Sequence, residues 1–157
     1  MTGVQTCALP IYVSVAAING SLINVNKSGA TLIINTGTTM QNVVFSAYAS
    51  SANGGAVYIE NGTLTINGGL FSNLNARQGG AIYAKSNAQL NIEGSDIRFE
   101  KCQTKCGDEG DGGAIYYSVS KPLTIDGGLN KDNPGIIFES CIAQGTKGSG
   151  GAIYATT

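Results

Sequence analysis

Histidine and tryptophan are absent from this 157-residue chain, and only 12% of its residues are charged. The lack of histidine removes Ser-His-Asp and Cys-His arrangements, histidine general bases and most zinc sites together. A net charge of −1 supplies no cluster of Lys and Arg for phosphate contacts, which sets nucleic acid aside as a partner. Proline occurs only three times, and no run of about 18 apolar residues offers a membrane-spanning helix. Glycine is abundant, with 23 residues, and accompanies many Asn, Thr and Ser, while 42% of the chain is apolar. This balance favours strands and turns over helices, and the regular spacing of the apolar residues argues against disorder. The length suits one domain with its own core.

A repeat is plain. Gly54-Gly55-Ala56-Val57-Tyr58, Gly79-Gly80-Ala81-Ile82-Tyr83, Gly112-Gly113-Ala114-Ile115-Tyr116 and Gly150-Gly151-Ala152-Ile153-Tyr154 recur at intervals of 25, 33 and 38 residues. Each of the first three is followed by an alternating run (Thr63 to Ile66, Gln89 to Ile92, Pro122 to Ile125). A third run then ends in Phe71, Phe99 or Phe138. An earlier, degenerate unit runs through Ser21 to Val25, Leu32 to Ile34 and Val43-Val44-Phe45. Period-two alternation in short runs bounded by Gly and Asn is the strand signal.

A unit of three short strands cannot bury its own apolar face, so the units must stack with equivalent strands paired in parallel. The expected fold is all-β, a right-handed single-stranded parallel β-helix with three strands per rung and about four rungs plus partial ends. Blade-like regularity and a Leu/Asn consensus are missing, which removes propellers and leucine-rich repeats. Inward ladders are expected from Ile82, Ala84, Leu90, Ile92, Ile97 and Phe99 with their equivalents, and outward polar ladders from Thr65, Asn91 and Thr124. The Gly-Gly pairs suit a corner without room for Cβ, and residues 101–111, 130–135 and 143–149 are expected to be loops.

The repeat resembles that of the polymorphic outer-membrane proteins, whose units carry GGA followed by Ile, Leu or Val together with an FxxN motif. The GGA element matches at all four sites from Gly54 onwards. The second element keeps Phe45, Phe71, Phe99 and Phe138 but has Tyr48, Leu74, Cys102 and Cys141 where that family has Asn. Similar repeats occur in surface proteins of protists. The resemblance covers about Ser21 to the end and implies a β-helix and a surface adhesin. It also implies a C-terminal transporter barrel that these residues do not contain.

Residues 1–11, MTGVQTCALPI, resemble the translation of a common sequencing-library adapter and have neither apolar periodicity nor signal-peptide character. They are expected to be non-native, with residues 12–157 a β-helix fragment truncated at both ends. Cys7 and Pro10 therefore stay out of fold reasoning.

Candidate chemistry is sparse. Carboxylate groupings suited to sugar-bond hydrolysis are Glu93 with Asp96, Asp108-Glu109-Asp111, and Asp126 with Asp132, and the only arginines are Arg77 and Arg98. Asp108, Glu109 and Asp111 form the densest acidic loop, a weak calcium candidate without regular Asp-x-Asp spacing. Solvated loop charge is the plainer reading of all these acids. Tyr58, Tyr83, Tyr116 and Tyr154 share one position per repeat and should form an outward ladder, packing on itself or stacking on sugars.

Cys102 and Cys141 follow Phe by the same step, which places them side by side within disulfide reach. Free thiols, or a Cys102–Cys106 bridge, are the alternatives. Asn19, Asn26 and Asn61 begin glycosylation sequons. No cofactor is implied. The leading expectation is a non-catalytic surface or secreted protein, adhesin-like or structural, meeting host-cell or matrix glycans or proteins. The alternatives are a piece of a polysaccharide lyase or hydrolase, and a carbohydrate-binding module.

Overall fold

Alternating branched and polar residues favour extended backbone, and the computed structural model is all-β, with parallel sheets. It describes residues 21–41, 52–104, 110–128 and 135–156. The degenerate first unit gives β1 (Ile23–Val25), β2 (Thr31–Ile34) and β3 (Thr39–Gln41). The next gives β4 (Val57–Ile66), β5 (Gly69–Ser72) and β6 (Asn75–Ala76), and the third β7 (Ile82–Glu93), β8 (Ile97–Glu100) and β9 (Gln103–Thr104). Then follow β10 (Ile115–Val119), β11 (Thr124–Asp126), β12 (Ile136–Glu139) and β13 (Ile153–Thr156).

Equivalent strands of successive units lie side by side. One sheet runs β1-β4-β7-β10-β13, with β2 beside β4 and β11 beside β7; a second runs β12-β8-β5-β3; the third pairs β6 with β9. The register aligns like with like: Tyr58 with Tyr83, Leu64 with Leu90, Ile66 with Ile92, and Phe71 with Phe99. Ile59, Leu64, Ile66, Ile82, Ala84, Leu90, Ile92, Ile97 and Phe99 are fully buried, while Thr65 and Asn91 are half-exposed and Thr124 is exposed.

The Gly-Gly corners have a physical cause. The first glycine of each pair has positive φ, from 61° at Gly79 to 69° at Gly150. A Cβ on the second would collide with the carbonyl of the equivalent glycine one unit on: Gly55 with Gly80, Gly80 with Gly113, Gly113 with Gly151. The following alanines continue the ladder, Ala56 N–H donating to Ala81 O and Ala81 N–H to Ala114 O, each at 2.8 Å.

Four details differ from the sequence expectation. The first two runs of the central units merge into the single long strands β4 and β7, and β7 carries one extra residue where the register shifts between Ile59 and Asn61. Ser86, at φ 60°, absorbs it. In the next unit the strand stays broken although the register is unchanged, because Pro122 falls at the place of Gln89 and has no N–H to donate. The expected loop 101–111 begins instead with β9, and Gln103 also bridges to Ile142. Finally, Met40 is the register partner of Phe71, so Phe45 does not hold that position. The run Val43-Val44-Phe45 and Tyr48 lie outside the described residues.

Candidate functional site

On the outer face of the largest sheet, Tyr58, Tyr83, Tyr116 and Tyr154 stack in sequence. Centroid separations are 5.4, 4.7 and 5.2 Å, with interplanar angles of 17°, 11° and 23°. Strand alternation aims these rings outward, because Val57 and Ile59 on either side of Tyr58 point into the core. The ring faces of Tyr83 and Tyr116 are covered on both sides by neighbouring rings, so no sugar can stack there. Burial, then the nearby Tyr116 and Tyr58, lifts the Tyr83 hydroxyl above the usual tyrosine value against the pull of Lys85 and Arg77. At the Tyr58 end the hydroxyl donates to Glu60 at 3.1 Å, and Lys85 lies 3.3 Å from the same carboxylate and 5.8 Å from the ring centroid.

Inside the fold a matching ladder of Phe71, Phe99 and Phe138 stacks at 4.7 and 4.9 Å. Two residues after each Phe, the backbone turns through positive φ at Asn73, Lys101 and Ser140 (50°, 52° and 54°). The next residue then turns inward, and Leu74 and Cys102 are fully buried while Cys141 is half-buried. This shared corner sets the two cysteines side by side, between the paired Glu100 and Glu139 and the bridge from Gln103 to Ile142. Both are free thiols here, reaching backbone carbonyls at 3.4 Å (Cys102 to Phe71 O) and 3.3 Å (Cys141 to Phe99 O). Cys106 lies outside the described residues.

Among the described acidic candidates, only Glu93 and Asp126 are register neighbours. Asp96, just before β8, and Glu100, within it, flank Arg98 at 3.7 and 2.9 Å. Asp111 accepts a hydrogen bond from Ser149 N–H at 2.8 Å, and Asp126 accepts one from Gly128 N–H at 3.0 Å. Asp108, Glu109 and Asp132 lie outside the described residues, and among the described ones no three His, Cys, Asp or Glu side chains are grouped to hold a metal. The expected partner for Glu93 was Asp96. The register instead aligns Glu93 with Asp126, both exposed.

Apart from the sequon residues Asn26 and Asn61, the polar groups that follow carry no functional motif in the sequence. Asn61 Nδ2 donates to Asn26 O (3.2 Å), Asn87 Nδ2 to Asn61 Oδ1 (3.2 Å), and Asn67 Nδ2 to Asn35 Oδ1 (3.0 Å), forming amide ladders at the corners. The sequon residue Asn61 is thus engaged through both ends of its amide, while Asn26 is exposed; Asn19 lies outside the described residues. Buried Thr104 donates to Gly110 O at 2.8 Å and accepts from Gln144 N–H at 3.0 Å, tying two units together. Repeat alignment signals the asparagines, but Thr104 has no counterpart in the motif. Compared with protein-family models, curated proteins and solved structures, the chain has no match.

Proposed function

We propose that the chain is a right-handed single-stranded parallel β-helix acting as a non-catalytic surface or secreted protein, with an adhesive or structural role. The observation that carries the reading is the register: along the largest sheet like residues align from unit to unit, so its outer face carries a Tyr ladder and polar rows of Thr, Asn and Gln. Such faces are flat, polar and repetitive, which suits extended contact with a matrix or cell surface more than enclosure of a small substrate. The polar side chains on them bond mainly to one another and to backbone. The likeness of the GGA units to polymorphic outer-membrane repeats points to the same placement, with host-cell or matrix glycans or proteins as partners.

An experimental structure tracing the chain through its corners tests the handedness. For function, the folded chain is immobilised and exposed to glycan arrays and to cell layers; retention of either, reversed by soluble chain, is the expected result.

A polysaccharide-active enzyme is the second reading, favoured by one observation. Glu93 and Asp126 are register neighbours on adjacent strands and both are exposed, which brings two carboxylates, the groups that sugar hydrolysis uses, to one place. Sugar release by the chain that vanishes in Glu93→Gln and Asp126→Asn would replace the adhesive reading with this one.

A further inference from the structure

We propose that Cys102 and Cys141 are an oxidisable pair that closes into a disulfide between neighbouring units, clasping the unit of β10, β11 and β12 to the one before it. This goes beyond the adhesive or structural reading and does not depend on it. Two features of geometry carry it.

The two residues are register neighbours on parallel backbone, which sets their Cα atoms about 4.8 Å apart, inside the span a disulfide accepts. The same positive-φ corner, Lys101 in one unit and Ser140 in the next, aims both side chains the same way.

The pair is asymmetric in access. Cys102 is fully buried and Cys141 only half-buried, so an oxidant meets Cys141 first. The hydrogen bond from Cys102 lowers the Cys141 thiol below its usual value despite partial desolvation, while the same contact and then burial push Cys102 up. The Cys141 thiolate attacks one sulfur of a small disulfide such as oxidised glutathione; that S–S bond breaks, a mixed disulfide forms, and the leaving thiolate takes the proton that Cys141 lost. Cys102 then gives up its proton, its sulfur attacks the Cys141 sulfur, and the second glutathione leaves as a thiol. Two protein thiols are oxidised by two electrons and one glutathione disulfide is reduced to two thiols.

The clasp acts at an end of the second sheet. Among the described residues β12 pairs with β8 alone, and its side chains are half-buried or exposed, whereas Ile97 and Phe99 of β8 are fully buried. A covalent link beside β12 restrains it from opening away from the core.

The test treats the reduced full chain with oxidised glutathione, then maps peptides without reduction and measures the urea midpoint. The expected product links the Cys102 and Cys141 peptides, weighs two hydrogens less than the dithiol, and unfolds at higher urea. The gain disappears in Cys141→Ser. A Cys102–Cys106 link, a lasting glutathione adduct on Cys141 with Cys102 still free, or a linked product with no gain in midpoint overturns the proposal. The map is read on the native sequence, so it decides even if Cys141→Ser fails to fold. Brief alkylation of the native dithiol should modify Cys141 before Cys102; the opposite order overturns the proposed order of attack.

Discussion

The unit containing β7 and β8 and the unit containing β10, β11 and β12 are built from the same residue types, yet they differ in what those residues gain. Ile92 is fully buried while its register partner Ile125 is 42% exposed, and Phe99 is fully buried while Phe138 is half-buried. The motif is the same, so the difference comes from position: β7 and β8 are covered on both sides, whereas β11 and β12, among the described residues, are covered on one. Identical sequence features therefore carry different free energies, as nearest-neighbour stacking requires.

Glycine substitution should show the contrast most strongly. A Cβ at Gly113 meets the carbonyl of Gly151 and, at 2.6 Å, the nitrogen of Ile142, whereas one at Gly151 finds nothing nearer than Cys141 O at 3.8 Å. Gly113→Ala should cost about 3 kcal/mol or more. Gly151→Ala should stay within about 0.5 kcal/mol. Urea titrations of the two variants with equal losses would remove the positional explanation.

The phenylalanine ladder gives the next contrast. Phe99→Ala should lose about 3–5 kcal/mol by emptying a fully buried site, and Phe138→Ala about half of that. Thermal unfolding followed by far-ultraviolet dichroism measures both.

Thr104→Val keeps shape but leaves Gly110 O and Gln144 N–H without their hydroxyl partner, at a cost of about 1–3 kcal/mol. Hydrogen exchange at the Gln144 amide should rise with it; unchanged protection contradicts the bond.

Two smaller effects concern the outer tyrosines. Because the Tyr83 hydroxyl is raised, the folded state prefers its neutral form. That contribution is complete below the unfolded value of about 10 and is lost as pH rises past it. Tyr83→Phe should remove this part of the alkaline decline, read as midpoint against pH. The exposed Lys85–Glu60 pair should matter least: Lys85→Ala should change stability by no more than about 1 kcal/mol, and the change should shrink in high salt.

Much of the architecture was legible because parallel stacking forces equivalent residues into register. The GGA corners, the Tyr and Phe ladders and the inward series from Ile82 to Phe99 all follow from aligning the chain with itself. The candidate chemistry was less legible. Glu93 meets Asp126 instead of Asp96, since pairing between units brings together residues 33 apart while alternation and corners separate near ones.

By itself the sequence determined the period, the strand content and the side of each strand that faces inward, because these depend on local alternation and on glycine geometry. The tertiary structure alone decided that Met40 is the register partner of Phe71, that Pro122 interrupts a strand without shifting it, and that Glu93 aligns with Asp126. Those outcomes depend on which backbone lies alongside, and that choice is made by the packing of whole units and not by any one segment.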